Sequence, residues 1–166
     1  MTSYDRASLN GIALETIDGQ PTTLADFPAQ VLLIVNVASR CGHTPQYEAL
    51  ERMHRQYSDR GFAVLGFPSN QFLQELGSEQ AVKEFCSLTY DVTFPMFSRT
   101  QLNGKKAHPL YQELVKAKDA EGEAGKVKWN FEKFLLTPDG AVHRFRSAVQ
   151  PDDPAIVSLI EQHLPG

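Results

Sequence analysis

The sequence has only two cysteines, no long hydrophobic run and no strong excess of either charge. Cys41 and Cys86 show no metal-ligand spacing, either with each other or with the five histidines. The longest apolar stretch, residues 31–38, is interrupted by a polar residue and is too short to cross a bilayer. These absences argue against a structural metal site and against a membrane-spanning protein.

The charge pattern and the N-terminus indicate which partners and which cellular compartment to expect. The net charge is −4, and no basic stripe interleaved with aromatic residues occurs, which argues against nucleic acid or a stable membrane association. The first residues, "MTSYDRASLNG", are polar and lack the apolar core of a signal peptide, so we expect a cytoplasmic protein. A structural disulfide is disfavoured in a reducing cytosol, which leaves inert thiols or thiols that do chemistry.

The 166 residues are 42% apolar and 22% charged, and they contain no internal repeat and no low-complexity linker. This composition predicts a single domain, residues 1–166, with a core large enough to fold unaided. Residues 11–27 predict an N-terminal hairpin that turns at Asp18 and Gly19. The apolar run of residues 31–38 predicts a strand buried on both faces of a parallel sheet.

The rest of the chain continues this α/β pattern. A helix is expected from Thr44 and Pro45 to about Arg60, followed by the buried strand "FAVLGFP". Further elements are expected in this order: a helix over 79–90, a strand-like segment over 92–97, a hairpin over 133–145 and a closing helix over 153–164. The whole pattern predicts a thioredoxin-like α/β fold, with a central mixed sheet flanked by helices.

Cys41 stands between the first buried strand and the start of the helix that follows it. In open α/β folds this is where ligands gather, and a helix N-terminus there favours a thiolate. A buried, inert cysteine is the alternative, because cysteine is among the commonest core residues. The run from Cys41 to Thr44 lacks the second thiol of a C-x-x-C motif, and "VNVASRC" lacks the pattern of typical peroxiredoxins.

Several separate motifs together resemble the glutathione peroxidase family, over roughly residues 7–164. They are "VNVASRCGHTPQYEALE", "VLGFPSNQF", "FPMF", "LNG…HPLY" and "WNFEKFLLTPDGAVHRF". The resemblance implies a thiol peroxidase that needs no metal or organic cofactor. The sequence is most similar to the cysteine-containing members of bacteria and plants.

In that family a cysteine attacks the peroxide, and the match assigns this role to Cys41. The resemblance also implies that Gln74, Trp129 and Asn130 surround the thiol and donate N–H groups to it and to the leaving oxygen. The loop "NQFLQELGS" is one residue shorter than the family pattern, and Leu76 replaces the usual proline. Ser69 stands where many relatives have a further cysteine, which is generally not needed for turnover.

Cys86 occupies roughly the place at which thioredoxin-dependent members carry a resolving cysteine. The resemblance therefore implies a disulfide cycle between Cys41 and Cys86 that thioredoxin reduces, although a passive core cysteine is the alternative. The segment 112–128 lacks the long insertion that builds tetramers in the classical glutathione-using members, so the resemblance implies a monomer. The substrates that it implies are hydrogen peroxide and organic or lipid hydroperoxides. Two other functions stay open: a one-cysteine enzyme that uses glutathione, and a peroxide sensor that relays oxidation to a partner protein.

Overall fold

The computed structural model describes residues 2–3, 6–27, 31–37, 46–69, 92–119 and 121–164. Over these residues the chain alternates strands and helices. The strands are β1 (Thr2–Ser3), β2 (Leu14–Glu15), β3 (Pro21–Thr22), β4 (Val31–Val37), β5 (Phe62–Pro68), β6 (Lys133–Leu136) and β7 (Ala141–Phe145). The α-helices are α1 (Arg6–Asn10), α2 (Gln46–Tyr57), α3 (Pro109–Leu114) and α4 (Pro154–His163), and two 3-10 turns cover Leu24–Asp26 and Ser58–Arg60.

The described strands form a central mixed sheet and a separate hairpin. The order in the sheet is β1-β7-β6-β4-β5, in which β4 and β5 are parallel and the other neighbours are antiparallel. β2 and β3 pair as the N-terminal hairpin, with Leu14 opposite Thr22. The predicted thioredoxin-like arrangement and its hairpin are therefore confirmed.

Every residue of β4 is buried because the sheet is covered on both faces. Leu33 and Val35 pack in one core with residues of α2 and α4. Leu32 and Ile34 point to the other face, where α1, the hairpin and α3 supply a second core. Alternate side chains of a strand point to opposite faces, so an uninterrupted apolar run is what a strand between two cores requires.

The helix ends follow local chemistry. α4 begins after Asp153, whose carboxylate accepts the backbone N–H of Ala155 at 2.9 Å, as the sequence predicts. α2 is followed by a 3-10 turn. Gly61, the next residue, has a φ of 103°, a left-handed conformation that glycine tolerates. Among the described residues, no helix has the length and apolar character needed to cross a membrane.

Some sequence predictions about secondary structure are wrong or incomplete. The segment 92–97 is not a strand, because only Met96 and Phe97 form isolated bridges, to Gly66 and Thr16. Helix α3 was not predicted; His108 caps it by accepting the N–H of Leu110 at 3.1 Å. The expected start of α2 at residues 44–45 and the expected helix over 79–90 lie outside the described residues.

Candidate active site

Two of the five predicted site residues, Trp129 and Asn130, belong to the described part of the chain. Cys41, Gln74 and Cys86 lie outside it. The described part of the candidate site consists of the turn that carries Trp129 and Asn130 and of the elements that hold this turn.

The turn over residues 129–132 leads directly into β6 and lies beside the carboxyl end of β4. β6 is antiparallel to β4, with Lys133 opposite Val35, so the residues before Lys133 run toward the carboxyl end of β4. Asn36 of β4 contacts this turn at three points. Its backbone C=O accepts the N–H of Phe131 at 2.6 Å, its side-chain Nδ2 donates to the C=O of Trp129 at 3.0 Å, and its Oδ1 accepts the N–H of Glu132 at 3.1 Å.

The two predicted site residues on this turn differ in exposure. Trp129 keeps 38% of its surface exposed and is the large hydrophobic side chain that stands out as exposed among the described residues. Asn130 is completely buried. A large exposed indole is unusual for a tryptophan that serves only as core, so its position favours contact with a substrate or a partner.

Phe131 has a φ of 63°, which is the left-handed region. Bulky residues other than glycine rarely adopt this conformation, and it costs on the order of 1–3 kcal/mol. The ring of Phe131 is fully buried and packs edge-on against Tyr47 in the first turn of α2, with centroids 5.3 Å apart. Packing and hydrogen bonds thus hold the turn in a conformation that its own backbone disfavours.

A buried lysine supports the same turn from β6. The Nζ of Lys133 donates to the C=O of Phe131 at 2.6 Å and to the C=O of Ser147 at 3.3 Å. Gln46, the first residue of α2, also donates to Ser147, at 2.9 Å. Burial lowers the pKa of Lys133 to about 7, although the negative charge of Glu132 opposes this shift.

Behind the turn lies a buried ion network. Glu132 accepts from Arg144 at 2.8 Å and forms a short contact with Arg146. Arg144 also donates to the carbonyls of residues 115, 117 and 126, and Arg146 bonds Asp119 at 2.9 Å. The hydrogen bond from Arg146 is the main reason that the pKa of Asp119 falls to about 2. The network fixes the segment before Trp129 against β7.

The segment from residue 70 to residue 91, which contains Gln74 and Cys86, is held at both of its described flanks. Before it, the N–H of Ser69 donates to the C=O of Val37 at 3.2 Å. After it, the buried carboxylate of Glu51 in α2 accepts the backbone N–H and the hydroxyl of Thr93, both at 2.6 Å. One flank is therefore fixed at the carboxyl end of β4, and the other is fixed on α2.

Asn36, Lys133 and Glu132 support the turn of the candidate site and were not predicted from the sequence. The available signal was a polar residue inside a strand that was predicted to be buried on both faces, since such a residue must find hydrogen-bond partners. Among the described residues, no cluster of three or more histidine, cysteine or acidic side chains could hold a metal ion.

Comparisons with known proteins give one consistent result. The family model described as "Glutathione peroxidase" matches residues 9–115. The chain is 47% identical to "Thioredoxin/glutathione peroxidase BtuE" of Escherichia coli K12, over 89% of this chain and 92% of that protein. It is 44% identical to "Hydroperoxy fatty acid reductase gpx1" of Synechocystis, over 92% and 95% of the two chains. The crystal structure of T. cruzi GPX1 superposes with a TM-score of 0.69 at 33% identity, over 90% and 94% of the two chains.

Proposed function

Because this chain belongs to the glutathione peroxidase family and is a peroxidase, we propose that Cys41 is its nucleophile and that thioredoxin returns it to the reduced state. In the first step the thiolate sulfur of Cys41 attacks the terminal oxygen of a hydroperoxide. The O–O bond breaks, the sulfur becomes a sulfenic acid, and the alcohol or water leaves after taking up a proton. Gln74, Trp129 and Asn130 supply N–H donors that stabilise the thiolate and the departing oxygen.

The observation that carries this proposal is the position of the turn at residues 129–132, which is bonded to Asn36 at the carboxyl end of β4. Cys41 follows Val37, the last residue of β4, by four residues, so the chain can carry its Cα at most about 14 Å from that end. The segment that leads to Gln74 begins at Ser69, whose N–H is bonded to Val37. All three parts of the proposed site therefore start from one edge of the sheet.

In the second step the thiol of Cys86 attacks the sulfenic sulfur of Cys41, which expels water and leaves a disulfide. Two electrons and two protons from the dithiol of thioredoxin then restore both thiols. The printed name of the E. coli relative includes thioredoxin, which supports this reductant. The flanks of the segment that contains Cys86 are anchored at Ser69 and Thr93.

The substrates proposed are hydrogen peroxide and organic hydroperoxides. The Synechocystis relative is named a hydroperoxy fatty acid reductase, which supports the organic class. The exposed indole of Trp129 offers an apolar surface on which the alkyl part of such a substrate can pack. Trp129→Phe keeps a ring but removes the indole N–H. It should therefore slow the oxidation of the Cys41 thiol by hydrogen peroxide and by cumene hydroperoxide to the same extent. Trp129→Ala should slow oxidation by cumene hydroperoxide further.

The test is the intact mass after one equivalent of hydrogen peroxide, measured on the wild type and on Cys41→Ser and Cys86→Ser. We expect the wild type to lose two hydrogens, Cys86→Ser to gain one oxygen and Cys41→Ser to stay unchanged. A wild type that gains oxygen without forming a disulfide would overturn the role of Cys86. Turnover with glutathione in place of thioredoxin would then identify the one-cysteine enzyme. An unreactive wild type would overturn the role of Cys41.

A further inference from the structure

We propose that Asn36 is a positioning residue, which fixes the turn of residues 129–132 and thereby places Trp129 and Asn130 for reaction with peroxide. The kinetic part of this inference rests on the proposed function, whereas the structural part does not. Asn36 is fully buried in β4, a strand whose other six residues are all apolar. A buried amide in such a strand needs partners, and it finds them in a segment 93 residues further along the chain.

The direction of the Asn36 amide is fixed by its partners. The C=O of Trp129 can only accept a hydrogen bond, and the N–H of Glu132 can only donate one. Nδ2 must therefore face Trp129 and Oδ1 must face Glu132, at 3.0 and 3.1 Å. Because the two bonds bracket Asn130 in the sequence, the amide fixes the backbone on both sides of this residue.

The turn requires such support because of its own conformation. Phe131 lies in the left-handed region, so the turn cannot continue the regular ladder of β6, and its backbone groups need other partners. The backbone C=O of Asn36 accepts the N–H of Phe131 and would remain in any variant at this position. A substitution of Asn36 therefore removes the two side-chain bonds, while one backbone bond stays to hold the turn near its place.

The experiment compares Asn36→Leu, which keeps the branching but removes both bonds, with Asn36→Asp, which keeps only the acceptor. Thr137→Val is the matched control, since Thr137 is also fully buried next to β6 but lies at its other end, in the hairpin to β7. Two quantities are measured on each protein under conditions where it is folded by circular dichroism. One is acrylamide quenching of the fluorescence of Trp129, the only tryptophan. The other is the second-order rate of thiol oxidation by hydrogen peroxide.

We expect Asn36→Leu to raise the quenching constant of Trp129 and to slow thiol oxidation by about 10–100-fold, because small displacements of catalytic groups have effects of this size. Asn36→Asp should also raise the quenching constant, because a carboxylate oxygen would then face the C=O of Trp129 in place of the Nδ2 donor. Thr137→Val should match the wild type in both measurements.

Wild-type quenching in a folded Asn36→Leu protein would overturn the positioning role, whatever the enzyme does. Altered quenching with an unchanged oxidation rate would overturn the link to catalysis. If the wild type itself does not react with peroxide, the proposed function fails, and the quenching measurement still decides whether Asn36 holds the turn. A variant that does not fold at all is replaced by Asn36→Ser, read by the same two measurements and the same criteria.

Discussion

The buried Lys133 gives a quantitative prediction about stability and pH. Its side chain is fully buried, and its Nζ meets two backbone carbonyls, those of Phe131 and Ser147. Burial lowers its pKa from 10.5 to about 7 in the folded protein. In the unfolded chain the amine is solvated and keeps its ordinary pKa, so folding and proton release are linked over this range.

The difference between the folded and unfolded pKa values of Lys133 sets the direction and the size of the change in stability with pH. Below pH 7 both states carry the proton, and the folded state bears the cost of a buried charge. Between pH 7 and 10.5 the unfolded state binds one proton more than the folded state, so the free energy of unfolding rises with pH. With a folded pKa of about 7, the gain from pH 7 to pH 9 is about 2 kcal/mol.

The assay is urea unfolding at pH 7, 8 and 9, in a background with Cys41→Ser and Cys86→Ser so that no thiol titrates. Lys133→Met keeps the length of the side chain and removes the amine, so its stability should lack the rise of about 2 kcal/mol. Lys106→Met, at an exposed position, is the control and should behave as the background does. Equal slopes for Lys133→Met and the background would refute the reasoning.

Three further substitutions test other contacts by urea unfolding at pH 7. Arg144→Met removes a buried partner of Glu132 and should cost about 3–5 kcal/mol, whereas Arg52→Met removes an exposed ion pair and should cost less than about 1 kcal/mol. Equal losses would contradict the importance assigned to burial. Gly66→Ala should cost about 1–3 kcal/mol, because its Cβ would lie 2.6 Å from the sulfur of Met96. No loss would mean that this side chain moves away freely.

Elements with a local signal were predictable from the sequence. The apolar run of β4, the turn residues between β6 and β7 and the cap at Asp153 each determine their structure within a few residues. The segment 92–97 has an apolar content typical of a strand, yet it makes only isolated bridges, and Pro95 in its middle has no N–H to donate to a ladder. Helix α3 has only six residues, too few for a helical period to be recognised.

The candidate site also contains residues that a local motif indicates and residues that only the structure reveals. Trp129 and Asn130 were predicted as site residues from one short motif, and their role in the reaction stays a prediction. Their support was not predictable, because it comes from residues distant in the sequence: Asn36 is 93 positions from Trp129, and Arg144 reaches back to residues 115 and 117. A hydrogen bond across such a separation leaves no periodicity in the sequence, and only the type of the residue indicates that a partner exists.

The polar residues Asn36 and Lys133 stand in buried strands because the turn beside them needs hydrogen-bond partners. A turn that carries Phe131 at a φ of 63° departs from the sheet ladder, and its N–H and C=O groups are buried away from water. An unpaired buried backbone group costs as much as a lost hydrogen bond, so partners must come from the neighbouring strands. Asn36 supplies three of these bonds from β4 and Lys133 supplies one from β6. The two residues therefore hold a strained turn that presents Trp129.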